Sequence, residues 1–249
     1  MLDSLASRIV RAAGMRTDWG PGEPSRDDGR GRWSWFLRWQ LLMLALWVAA
    51  WMLYEGWFVP HGWLLGTWRS TSWWTIAKLA IWIAPPLWIL RRAGEKLGEA
   101  TGLATVRGVR RGLGLAAAWL AFQLIVSLLR DYWPGPFRWS SGAWNAFLVA
   151  PLFEEIVFRG FALRRLRRQG IRFWPAAAAT SVAFGLMHVP GWLFTKGATP
   201  AILGSFANVM FVGMLLAAIA WRTPSLWACV AFHLVNNAWS EGLVLALFR

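Results

Sequence analysis

Of 249 residues, 57% are hydrophobic and only 15% charged, a balance too apolar for an ordinary soluble domain and suited to a multi-spanning membrane protein. A formal net charge of +14 invites a nucleic-acid reading, but the arginines cluster at the ends of apolar runs, as membrane orientation requires, which argues against nucleic acid as a partner. The single cysteine, Cys229, excludes a disulfide framework and a cysteine-based zinc site, and reads as a small buried hydrophobe.

Residues 2–13 put Leu2, Leu5, Ile9 and Val10 on one helical face, which predicts a short helix lying on an anionic membrane surface. Residues 14–32, rich in Gly, Pro, Asp and Arg, read as a flexible linker. Apolar runs then predict spans at about 35–58, 71–90, 112–129, 142–163, 174–190, 200–221 and 225–247, each close to the ~20 residues that cross a bilayer. Pro85 and Pro86 predict a kink near the end of the second span, and Pro151 a kink or restart in the fourth that opens backbone groups. A break near Gly242 would make the spans eight.

The fold class expected is therefore an all-α membrane protein, a bundle of seven to eight transmembrane helices with no soluble domain. Residues 1–34 would form a surface helix and linker, 35–111 accessory spans with a basic loop at 91–111, and 112–249 the core. The basic loops at 91–111 and 164–172 place the N-terminus in the cytoplasm. Tryptophans near span ends, among them Trp33, Trp35, Trp57, Trp68, Trp73, Trp133, Trp139 and Trp174, read as interfacial anchors.

Polar residues inside these spans carry the functional signal, because a charge at bilayer depth costs about 2.5–3.5 kcal/mol on insertion scales. Glu155 and Arg159 are an i, i+4 pair on one helix face, whereas Glu154 points to another sector and cannot share that arginine equally. His188 and His233 lie within apolar spans, and His61 falls in an external loop. At 1.5 Å per residue Glu154 lies ~15 Å in from Arg164, His188 ~21 Å in from Trp174 and His233 ~12 Å in from Ser225, one common depth from the cytoplasmic side. Asn237 sits one turn beyond His233 on the same face, and Phe184 one turn before His188, where it could wall the pocket. Asn236 would exchange roles with Asn237 only in a rotated helix.

A carboxylate, two imidazoles and a carboxamide at one depth provide a base for water and donors for an oxyanion. Glu154, His188 and His233 are also a metal-ligand set, so the cofactor is either none or a divalent metal such as zinc. Lys78 and Asn208 read as packing or snorkelling groups, and Glu241 as solvated at the outer face.

Glu154-Glu155-x-x-x-Arg159, Phe184-x-x-x-His188 and His233-x-x-x-Asn237, in that order on successive spans, resemble the CPBP family of intramembrane proteases, which includes the CAAX prenyl endopeptidases and bacteriocin self-immunity proteins. The likeness covers roughly 115–245. It implies a polar cavity open to the cytoplasm, Glu154 and His188 activating water, His233 and Asn237 holding the oxyanion, and Glu155 paired with Arg159. The expected activity is that of an intramembrane endopeptidase, metallo- or glutamate-dependent, in a cell membrane. Its partners would be membrane lipids and a peptide or lipidated protein substrate. A proton-coupled transporter and a catalytically idle scaffold of the same fold are the alternatives.

Overall fold

A computed structural model describes residues 29–64, 67–131, 133–134 and 141–243. The predicted surface helix at 2–13, most of the linker and most of the loop at 130–141 lie outside the described residues. Every regular element among those described is helical. Helix α1 (Gly29–Leu53) continues into a wider π-turn, Tyr54–Phe58, and starts before the linker was expected to end. Then follow α2 (Thr67–Lys78), a π-turn at Leu79–Ile83, α3 (Ala84–Arg92), the short α4 (Leu97–Thr101) and α5 (Val109–Arg130). One helical run comprises α6 (Ser141–Trp144), a π-turn (Asn145–Val149), α7 (Ala150–Glu155), a π-stretch (Ile156–Leu163) and α8 (Arg164–Arg168). Helices α9 (Phe173–Lys196), α10 (Ala201–Arg222) and α11 (Leu226–Ser240) complete the bundle.

Five described helical stretches are long and apolar enough to cross a membrane: Trp33–Phe58, Trp68–Arg92, Val109–Arg130, Phe173–Lys196 and Ala201–Arg222. The other two expected spans coincide with α6–α8, which holds the glutamates, and with α11. Outer faces carry exposed apolar side chains such as Leu41, Leu129 and Leu203, the arrangement that lipid favours. At the end of α11, Gly242 takes a left-handed φ of 74°, so the last run does break there.

Two of the π-turns have a cause in the sequence. A proline in a helix has no N–H to give and its ring crowds the preceding turn, which widens. The turn Leu79–Ile83 precedes Pro85 and Pro86, and Asn145–Val149 precedes Pro151. The Pro151 helix is thus neither broken nor restarted.

Helix α9 packs along α10 and α1, α5 along α11, and α11 also against α7 and α10. The tryptophans divide into two groups. Trp57, Trp68 and Trp174 are exposed, as anchors should be, but Trp47, Trp51, Trp74 and Trp82 pack ring to ring between α1 and the α2–α3 hairpin arm, with centroids 4.1–5.3 Å apart. Trp35, expected at the interface, packs on Phe161 and donates to Gln169.

The basic segments share one end of the bundle. Arg168 pairs with Glu95 and donates to the Ala100 carbonyl, and Arg164 donates to the Pro224 carbonyl. The segment 102–105 in turn clasps the start of α11. Leu226 N–H donates to Gly102 O (3.1 Å), Trp227 Nε1 to Leu103 O (2.9 Å) and Ser225 Oγ to Thr105 O. The loop at 91–111 therefore fixes the axial position of the helix that carries His233 and Asn237.

Candidate active site

Four helical elements bring the predicted residues together. Glu154 and Glu155 end α7, Arg159 follows in the π-stretch, Phe184 and His188 lie on α9, and His233, Asn236 and Asn237 lie on α11. Glu155 and Arg159 are wholly buried and meet at 3.1 Å. The guanidinium also donates to Gly213 O on α10 (3.0 Å) and lies 4.5 Å from the centre of the Phe184 ring. Gly213 is needed for that approach, since a Cβ there would come within 3.0 Å of Ser181 and 3.2 Å of the guanidinium.

His233 bridges the two glutamates. Its Nδ1 is 2.8 Å from Glu155 Oε1, and its Nε2 is 3.7 Å from Glu154 Oε2. An ionised carboxylate only accepts, so Nδ1 carries the proton in that bond and Nε2 is the nitrogen presented to Glu154. His188 Nδ1 is 2.9 Å from the Phe184 carbonyl, which again makes Nδ1 the donor and leaves Nε2 as the basic nitrogen. Phe184 is buried with its ring edge-on to both imidazoles, at 4.8 Å from His188 and 6.0 Å from His233. His188 acts electrostatically on Glu154 as His233 does, and is itself only half-buried.

Asn237 has a partner that follows from Pro151. In the π-turn the Ala150 N–H reaches back five residues to Asn145 O, so the next donor in register, for Ala146 O, would be residue 151. Proline cannot supply it. Asn237 Nδ2 donates to that carbonyl instead, at 2.8 Å. Asn236 orients it: Trp119 Nε1 donates to Asn236 Oδ1 (3.0 Å), and Asn236 Nδ2 to Asn237 Oδ1 (3.3 Å). The amide of Asn237 keeps a second N–H for other use.

One residue overturns its sequence reading. Lys78, expected to pack or snorkel, is buried, with its ammonium 3.5 Å from Glu154 Oε1. Glu154 itself is 4% exposed. Asn208 lies exposed on α10, Glu241 is exposed, and Cys229 is wholly buried with Sγ 3.5 Å from Leu216 O. His61 stacks on Trp57 outside the site.

Among the described residues no three His, Cys, Asp or Glu side chains are grouped so as to hold a metal ion. The Lys78 ammonium against Glu154 Oε1 opposes a divalent cation at that oxygen, whereas His188 and His233, each with Nδ1 committed to an acceptor, present Nε2 as ligating histidines do.

Residues 136–239 match the family described as type II CAAX prenyl endopeptidase Rce1-like. Neither a curated protein nor a solved structure matches the chain. The matched segment contains Glu154, Glu155, Arg159, Phe184, His188, His233 and Asn237, but not Lys78. Over residues 136–239 the chain is thus similar to a family of CAAX-type proteases, as its three motifs suggested, and with its long apolar helices it is an integral multi-pass membrane protein.

Proposed function

We propose that the protein is an intramembrane endopeptidase that hydrolyses a peptide bond of a membrane-associated or lipidated peptide or protein. The observation that carries this reading is Glu154, a buried carboxylate facing one imidazole at 3.7 Å and acted on by a second, in a chain whose other buried glutamate is already held by arginine. Glu154, with the basic Nε2 of His188 beside it, takes a proton from water as the oxygen attacks the scissile carbonyl carbon. The oxyanion that forms receives donors from protonated His233 Nε2 and the second N–H of Asn237. Proton return to the leaving amine then breaks the C–N bond and restores the carboxylate. The proton returned to the amine is the one taken from water, and Glu154 carries it between them. The basic end of the bundle faces the cytoplasm, so the substrate enters from that side.

Glu154→Gln removes the base while keeping the shape. In purified protein incubated with a prenylated peptide, it should lower cleavage by about 10²–10⁴-fold, read by mass spectrometry of products, with insertion and melting near those of the native protein. Product formation by Glu154→Gln at the native rate would refute the mechanism. Solute flux in proteoliposomes without a product peptide would favour the transporter.

A further inference from the structure

Lys78 lies ten residues from one end of its span and fourteen from the other, Trp68–Arg92, too deep to be an interfacial lysine. Its side chain is 8% exposed, that of Glu154 is 6% exposed, and the ammonium sits 5.3 Å from the centre of the Trp82 ring. Two buried carboxylates in the site need counter-charges. Arg159 is committed to Glu155 and the Gly213 carbonyl. The charged or titratable groups that act on Glu154 are Lys78 from α2, His188 from α9 and His233 from α11, with Glu155 its neighbour on α7 and bridged to it by His233.

These counter-charges are not equivalent. An imidazole changes its charge in the range where enzymes work, whereas an ammonium paired with a carboxylate keeps its own. In the hydrolytic cycle proposed above, on which this inference rests, Glu154 itself takes and returns a proton, and a neighbouring imidazole, whose charge is not permanent, cannot serve as a constant counter-charge to it. The ammonium can. It further occupies Glu154 Oε1 and so opposes a divalent cation at that oxygen.

We propose that Lys78 is a positioning residue of the active site: a fixed counter-charge, supplied by a span outside the matched segment, that pairs with Glu154 Oε1 and readies the carboxylate as the base at the start of each cycle. Its action is through Glu154 and it forms no bond to substrate. The first two spans therefore complete the site and are not only accessory to it.

The test uses the full chain in detergent and five variants: Lys78→Met, Lys78→Gln, Lys78→Arg, Glu154→Gln and the double variant Lys78→Met/Glu154→Gln. The first arm is a melting cycle that needs no substrate. Lys78→Met, which strands a buried carboxylate, should melt well below the native protein, and the double variant should regain most of the loss. If Lys78→Met fails to accumulate, accumulation of the double variant is the same result, and failure of both overturns the pairing. The second arm is kinetic. Lys78→Met, or Lys78→Gln where Met does not fold, should lower kcat about tenfold or more with KM within about twofold, move the acidic limb of the kcat–pH profile up by about one unit, and be rescued by Lys78→Arg. A profile that does not move, or a loss that lies wholly in KM, overturns the proposal while leaving the hydrolytic reading intact. A native protein that cleaves nothing, with strong melting coupling, overturns the hydrolytic reading and with it the role of Lys78, leaving only a structural ion pair.

Discussion

Arg159→Ala is the sharpest test of how the site is held together. The guanidinium is wholly buried, 3.1 Å from Glu155 and 3.0 Å from the Gly213 carbonyl, and it lies against the Phe184 ring. Truncation strands a carboxylate with 0% side-chain exposure, a change that costs about 3–5 kcal/mol for a buried pair. The unpaired Gly213 carbonyl adds ~1 kcal/mol. His233, already 2.8 Å from Glu155, keeps its Nδ1–H on the stranded carboxylate and offsets part of this, so a net loss of ~3–4 kcal/mol is expected. At about 2–4 °C per kcal/mol for a chain of this size, the melting temperature in detergent should fall by ~10 °C. Arg159→Ala/Glu155→Gln should recover more than half of that, because the stranded charge is gone. A single variant melting within about 2 °C of the native protein would show that the pair is not what holds α7 to α10, and the energetic argument would fail.

Two further outcomes follow from the site. Asn237→Ala leaves the Ala146 carbonyl without its donor and should cost about 1–3 kcal/mol, but only ~0–1 kcal/mol in a Pro151→Ala background, where the main chain supplies the missing N–H; a double-mutant melting cycle reads the difference, and equal costs in both backgrounds would discount the proline account. Cleavage should survive exhaustive dialysis against a chelator, and activity lost on dialysis and regained with zinc would contradict a glutamate–histidine site built around Lys78.

How much of this was legible in the sequence depended on the range of each interaction. The Glu155–Arg159 contact and the edge-on contact of Phe184 with His188 are set by helix geometry within one turn, so spacing alone located them. The common depth of Glu154, His188 and His233 followed from counting along spans. Lys78 was not legible, because one lysine in an apolar run looks the same whether it reaches for the headgroups or turns inward. Pro151 signalled an opened backbone, but which side chain would answer it required the packing of α11 on α7. Gly213 carried no signal at all, since its task is set by an arginine 54 positions away. Trp35 was misread for a similar reason: its place near a span end suggested interfacial anchoring, whereas it packs on Phe161 and donates to Gln169.

The carbonyl that Pro151 leaves unanswered works as a peg. A single amide from α11 seats on it, and that amide is braced by Asn236 and, through it, by Trp119 of α5. The glutamate helix, α11 and α5 are thereby pinned against sliding past one another, while the loop at 102–105 stops α11 at its other end. An opening for a peptide that spares these contacts would lie along α9, with the half-buried His188 at its threshold.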